Sequence, residues 1–339
     1  MRAAALLTRG VVLLLTWSSL PQHLGASLRV PPTGAPSPEA PSPDVQLPQG
    51  RTAEARTDKL PLLSSFSEVW EKRHRSEHWL RESMPSGVQL VLGIFAQPWQ
   101  TEYRKVIRRT WLNQTGVCLW RAGPPASDCR VQVAFVYGNR GQGEWVPRDA
   151  KHAADLSPGS EEAAREEPGS FVLDVEENMN KGKTFAWFKA AAEASPWATH
   201  IAKCDMDTYP FLHKLVKRMS KRAGMGETPY EYAGSPTATC NRASRNCFHS
   251  SCGQKKAWDV SSFKFMYGPL YMLSHELVDR VVRPGEWWEA NQDANWEDQT
   301  TSMAIDITAA KYGFCVSTWC TDAHFHTGGQ VSETYANNL

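Results

Sequence analysis

Apolar residues in this chain gather into short unbroken runs separated by segments of helical period. Val88–Ala96 is nearly continuous in apolar side chains, the pattern of a strand covered on both faces, and Pro98 ends it. Glu102–Trp111 then carries Tyr103, Val106, Ile107 and Trp111 on one stripe, with Arg104, Lys105, Arg108 and Arg109 elsewhere, as an amphipathic helix requires. Further strands are predicted at Val131–Tyr137, closed by Gly138, and at Phe171–Val175. Thr184–Ala194 reads as a helix with Phe185, Phe188 and Ala192 on one face, and Thr199–Ala202 leads as a strand into Asp205. Phe263–Gly268 runs on into the apolar Leu270–Leu273. Ser274 follows as the N-cap of a helix whose Leu277, Val278, Val281 and Val282 face the core. After Glu297-Asp298, Met303, Ala304 and Ile307 recur at helical spacing. The polar segment Gln142–Gly169, with Glu161, Glu162, Glu166 and Glu167, reads as a solvated surface loop. Strands alternating with helices predict an α/β fold whose mostly parallel central sheet is flanked by helices.

The first 61 residues follow other rules. Arg2 and Arg9 precede the apolar run Gly10–Leu20, which makes residues 1–26 a secretory signal peptide or a type II signal anchor. The run is shorter than the ~20 residues that span a bilayer comfortably. Cleavage near Gly25-Ala26-Ser27 and retention in the membrane are therefore alternatives, and an uncleaved chain would meet the membrane through this segment. Residues 27–61 are rich in Pro, Ser and Ala and lack the large apolar side chains needed to offset ordering entropy, so they read as a disordered stem. Residues 62–339 suffice for one large α/β domain.

A formal net charge of +1 gives no footprint for a nucleic-acid partner. Eight cysteines suit an oxidising compartment. Cys118–Cys129 and Cys315–Cys320 are the expected disulfides, because each pair closes a short loop; Cys204 is expected to be buried in its strand. Cys240, Cys247, His249 and Cys252 lack the paired spacing of a zinc knuckle. Asn113-Gln114-Thr115 is an N-glycosylation sequon, consistent with a luminal domain.

The chemistry centres on Lys203-Cys204-Asp205-Met206-Asp207. A strand that ends in Asp-x-Asp places carboxylates where open α/β sheets hold ligands, and hard oxygen donors there suit Mg²⁺ or Mn²⁺ clamping a diphosphate. Phosphatases of the haloacid dehalogenase type also open on Asp-x-Asp. They carry Thr or Val where this chain has Tyr209, and their motif comes early in the domain.

Several motifs together resemble the β1,3-glycosyltransferases of family 31, which include β3-galactosyltransferases, β3-N-acetylglucosaminyltransferases and, more distantly, the fringe enzymes. Arg104–Trp111 is similar to the family's R-x-x-I-R-x-T-W helix, and Asp174–Asn180 with Lys183-Thr184 to the turn before its metal motif. Lys203–Tyr209 matches K-x-D-x-D, Tyr267–Ser274 resembles Y-x-S-G-x-x-Y-x-x-S without the Ser before Gly268, and Glu297-Asp298 fits the later Glu-Asp motif. Cys204 stands where many members have Asp, Gln299 where they have Val, and Cys240–Trp258 has no counterpart.

The resemblance implies a GT-A fold and an inverting, metal-dependent transfer of galactose or N-acetylglucosamine. The hexose would pass from a UDP-sugar to a glycan acceptor in β1,3 linkage, in the Golgi lumen. Asp207 would ligate the metal directly, and Asp205 would do so through water or would contact the donor ribose. His326, with His324 as the alternative, would supply a third ligand, and Asp298 would be the base. Arg104, Arg108 and Lys183 would approach the donor. Trp287, Trp288 and Trp296 are candidates for stacking on sugar rings. A catalytically degenerate transferase kept as a glycan-binding or chaperone-like protein is the non-enzymatic alternative.

Overall fold

All six residues of strand β1 (Leu90–Phe95) are buried, as the unbroken apolar run demands. Leu90, Leu92 and Ile94 enter one hydrophobic cluster while Val91 and Phe95 enter another, so the strand separates two cores. This architecture is seen in a computed structural model of the chain, which describes residues 62–140, 160–222, 228–236, 249–252, 265–321 and 324–326. The predicted stem, the leader segment, Cys240 and Cys247 lie outside the described residues.

The main sheet runs β2 (Val117–Leu119), β3 (Val131–Arg140), β1, β5 (His200–Asp205), β9 (Met266–Ser274), β7 (Glu231–Pro236), β10 (Cys315–Cys320) and β8 (His249–Cys252), with β4 (Ser170–Glu176) also paired to β3. The pairs β2–β3, β3–β4, β3–β1, β1–β5 and β7–β10 are parallel. Strand β9 runs antiparallel to both β5 and β7, and β8 antiparallel to β10. A small second sheet pairs β6 (Thr208–Pro210) with β11 (His324–His326), which carries the end of the described chain to the residues just after Asp207. The expected α/β class, a mostly parallel sheet flanked by helices, is what the chain adopts.

Helices α1 (Leu63–Ser76), α2 (Thr101–Arg109) and α5 (Leu212–Arg222) cover one face through Phe66, Trp70, Tyr103, Val106, Ile107, Leu215 and Val216. Helices α4 (Thr184–Ala194), α6 (His275–Val281), α7 (Trp287–Ala290) and α8 (Glu297–Tyr312) cover the other. Ser274 caps α6 as expected, its hydroxyl accepting from Leu277 N. Gly93, midway along β1, lets the Trp187 indole of α4 lie directly on the strand. A Cβ there would stand 2.6 Å from Trp187 Cζ2, and the indole Nε1 donates to Ala202 O of β5 at 3.0 Å.

Three expectations need correction. Within the segment read as a solvated loop, Ser160–Glu166 forms helix α3, and Glu167 after it is drawn against α2 by two arginines. In α8, Ala304 faces the core as expected, but Met303 is exposed; Ile305 and Ala309 are the buried apolar residues. The Cys118–Cys129 bridge is present. Cys315 and Cys320, both disulfide-bonded, stand at opposite ends of β10. Five residues of extended chain span roughly 16 Å, far beyond disulfide reach, so they do not join each other. Cys252 lies opposite Cys315 in the β8–β10 ladder. Cys204 is free and buried, as expected. No helix among the described residues is long and apolar enough to cross a membrane.

The seat of Trp187 is open to test. Gly93→Ala should lower stability by about 1–3 kcal/mol, the usual cost of overpacking a core, read as a reduced urea midpoint at unchanged slope. An unchanged midpoint would mean that the indole can move aside freely.

Candidate active site

Strand β5 carries a lysine into the middle of the protein. Lys203 is fully buried, a position that a cation occupies only with compensating partners. Its Nζ lies 2.5 Å from Asp205 Oδ1 and 2.7 Å from Glu297 Oε1, and it donates to Gly268 O of β9 at 2.7 Å. Burial works against its charge, but the Asp205 and Glu297 carboxylates outweigh this and hold the ammonium protonated, well above the ordinary lysine range. One cation thus joins the end of β5, the start of β9 and the first turn of α8.

Beyond Asp205 the strand turns, and Asp207 projects beside β6. Because β11 pairs with β6, placing His326 opposite Thr208, His326 Nε2 comes within 2.8 Å of Asp207 Oδ1. Ligand atoms of Asp205, Asp207 and His326 all lie within 4.8 Å of one another, and among the described residues this is the group able to hold a metal ion. Two carboxylates and an imidazole match the hard oxygen and nitrogen preference of Mn²⁺ or Mg²⁺. The electrostatics agree with such a site. Burial raises the Asp205 pKa, Lys203 pulls it down, and the neighbouring Asp207 charge raises it again. A divalent cation would relieve that excess of negative charge. His324, the alternative ligand, is buried and pushed down to about 4 by desolvation and by His326, so it stays neutral.

The other wall is the N-terminus of α8. Asp298 Oδ2 accepts from Gly268 N at 3.2 Å and its Oδ1 from Gln299 N at 2.8 Å. Burial raises its pKa, opposed by Lys203 and by these backbone donors. Glu297 is pushed up to about 7, first by burial, with Lys203 opposing and the Asp298 and Asp205 charges adding to the rise. It accepts from Tyr271 Oη at 2.5 Å as well as from Lys203. Its backbone N donates to Asn180 Oδ1 at 3.0 Å. Asp298 and the metal-ligand cluster therefore flank the same buried lysine.

The predicted donor-binding cations are placed differently. Lys183 is buried and ion-paired to Glu177, donates to Ala96 O at 3.2 Å, and lies 5.1 Å from the Phe95 ring centroid. Phe95 also receives Lys203 at 5.5 Å, so Lys183 adjoins the site while its charge is committed to Glu177. Arg104 has no exposed surface. It forks onto both Glu167 oxygens at 2.9 and 3.1 Å and donates to Gln97 O, Pro98 O and Thr101 Oγ1. Arg108 donates to Glu167 at 3.2 Å and to Pro168 O at 2.8 Å. Both arginines clamp the segment after α3 to α2. Of the three tryptophans, Trp288 packs in the core against Phe185 and Phe188, Trp287 is half-buried, and Trp296 is exposed.

Residues 102–308 match the galactosyltransferase family, more than half of the chain. The chain belongs to the galactosyltransferase family. The matched segment of this galactosyltransferase-family protein runs from α2 through most of α8 and so includes β5, Asp298 and Lys203. Membership makes it a glycosyltransferase by family, built on a mixed, mostly parallel sheet. No curated protein sequence matches the chain. Among solved structures it is similar to a UDP-glucose pyrophosphorylase complexed with UDP-glucose, at 13% identity over 71% of this chain and 94% of that one, with a TM-score of 0.30. A mannose-1-phosphate geranyltransferase from Thermus thermophilus is similar at 9% identity over 69% and 73%, with a TM-score of 0.25.

Lys203, Glu297, Tyr271 and Asn180 are the parts of the site that the sequence reading did not assign. Lys203 had a signal, since a lone lysine inside an apolar strand needs a buried anion; nothing local identified Glu297 as that anion. Removing the cation leaves Asp205 and Glu297 buried and uncompensated. Lys203→Met should therefore cost about 3–5 kcal/mol in chemical unfolding, and the added change Glu297→Leu should recover part of it. Additive losses would show that the two residues are not coupled.

Proposed function

We propose that this galactosyltransferase-family protein transfers a hexose, galactose or N-acetylglucosamine, from a UDP-sugar to a glycan hydroxyl with inversion, forming a β1,3 linkage. The reading includes a divalent metal, Mn²⁺ or Mg²⁺, and a luminal Golgi location behind an N-terminal signal anchor. The observation that carries it is the convergence of Asp205, Asp207 and His326 at the carboxyl end of β5, with Asp298 across Lys203 from them. Membership of the galactosyltransferase family supports the reaction class. The membrane-facing part of the proposal rests on the first 26 residues, with Arg2 and Arg9 before an apolar run.

Asp205, Asp207 and His326 would hold the metal, whose charge there offsets that of the donor diphosphate and of the departing UDP. Inversion needs a base on the acceptor side that takes the hydroxyl proton as the new bond forms. Asp298 suits this role. Two backbone N–H groups fix both of its oxygens, and partial burial makes it more basic than an exposed aspartate. Glu297 is buried and occupied by Lys203 and Tyr271, whereas Asp298, its neighbour, is only partly buried and open to an acceptor.

Two experiments test the reading. Asp207→Ala should abolish transfer and weaken Mn²⁺ binding measured by electron paramagnetic resonance. Wild-type Mn²⁺ affinity should already fall at a higher pH than an ordinary aspartate site would allow, because Asp205 must shed a proton held by its raised pKa. Full transfer in excess EDTA would overturn the metal-dependent mechanism. Asp298→Asn should slow transfer by about 10²–10⁴-fold, since an amide cannot accept the proton, while calorimetry shows UDP–Mn²⁺ affinity retained. A near-normal rate would reduce Asp298 to a helix-end residue.

A further inference from the structure

Trp296 is 63% exposed and occupies the N-cap position of α8, two residues before Asp298. Among the tryptophans whose side chains are described, Trp296 alone stands exposed, and the backbone beneath it is fixed on several sides. Trp296 O accepts from Thr300 N at 2.9 Å, and Asn295 N donates to Thr300 Oγ1 at 3.1 Å. Glu297 N is tied to Asn180 Oδ1 at 3.0 Å. Upstream, the Gln292 amide packs so closely on Gly182 that a Cβ there has no room. The backbone just after the indole is thus tied to residues 178–183, against which the Gln292 side chain also packs.

We infer that Trp296 is the stacking platform for the acceptor sugar, a pyranose laid with its C–H-rich face on the indole and its reacting hydroxyl toward Asp298. The inference rests on the transferase reading above. Three features favour a sugar over an apolar partner. The flat apolar surface is small, with Met303, 38% exposed and joined to Asn295 Nδ2 through its sulfur at 3.5 Å, as its neighbour. Amides of Asn295 and Gln299 flank it in sequence and can serve ring hydroxyls. The ring is also carried by the same helix end that holds Asp298, so a molecule stacked on it meets the end of α8 that carries the proposed base. Flat aromatic faces bordered by polar groups are the arrangement that amphipathic ligands fill.

The test compares wild type, Trp296→Ala and Trp296→Phe with Mn²⁺, saturating UDP-sugar and a panel of methyl β-glycosides of galactose, N-acetylglucosamine and mannose. Methyl aglycones are used because an aryl group would itself stack on the indole. For every glycoside that wild type accepts, Trp296→Ala should raise the acceptor KM about tenfold with a far smaller change in kcat. Trp296→Phe should recover much of that loss, and UDP–Mn²⁺ affinity by calorimetry should be the same in all three proteins. An unchanged acceptor KM in Trp296→Ala overturns the inference alone and leaves the transferase reading standing. Loss of UDP–Mn²⁺ affinity along with the KM change overturns it too, because the residue then supports the donor site. Failure of wild type to bind UDP–Mn²⁺ or to transfer to any glycoside overturns the transferase reading first, and this inference with it.

Discussion

The structure turns on a single buried ammonium. Lys203 cannot be carried into the sheet as an unpaired charge, so the fold must deliver anions to it from elsewhere in the chain. Asp205 comes from the same strand, two residues on. Glu297 comes from the far end of the domain, and a carbonyl comes from Gly268 on the neighbouring antiparallel strand. Satisfying that one cation fixes the end of β5, the entry of β9 and the first turn of α8 relative to each other. These are the three places from which the candidate chemistry projects.

Charge around the lysine is unequal. Asp205, Asp207, Glu297 and Asp298 crowd a region where Lys203 pairs directly with Asp205 and Glu297, and His326 stands at the margin beside Asp207. Burial drives the pKa values of Asp205, Glu297 and Asp298 upward, and the charges of neighbouring carboxylates add to the rise against the pull of Lys203. A site in this state favours whatever brings positive charge. A divalent cation of the kind the transferase reading calls for would supply that charge and would thereby stabilise the folded protein.

What could be read from the chain alone follows the range over which each interaction acts. The strand β1, the helices α2, α4 and α6, and the pair Asp205/Asp207 are local patterns, set by side-chain period, caps and the end of a strand, and they appear where the pattern placed them. Arg104 shows the limit. The resemblance implies that it approaches the donor, but Glu167, far along the chain, pairs with it and with Arg108, and no local pattern encodes that meeting. The Cys315–Cys320 expectation failed for a related reason. Short spacing suggests a loop, whereas the six residues are drawn out straight as β10 between β7 and β8. His326 was legible only through a resemblance, since its approach to Asp207 depends on the pairing of β11 with β6.

That pairing has a consequence for how the protein matures. The first two members of the donor set emerge together at the end of β5, yet the third rides on the last of the described strands. During synthesis the carboxylates are made, and the surrounding sheet can begin to assemble, well before the imidazole exists. Contacts between such distant segments form late, after the entropy of closing the intervening chain has been overcome. The centre is therefore assembled in order, an incomplete pair of acids first and a three-ligand pocket only when β11 arrives. In a nascent or C-terminally clipped chain the two carboxylates stand without the imidazole, so a cation held between them would lack its third ligand until β11 is in place.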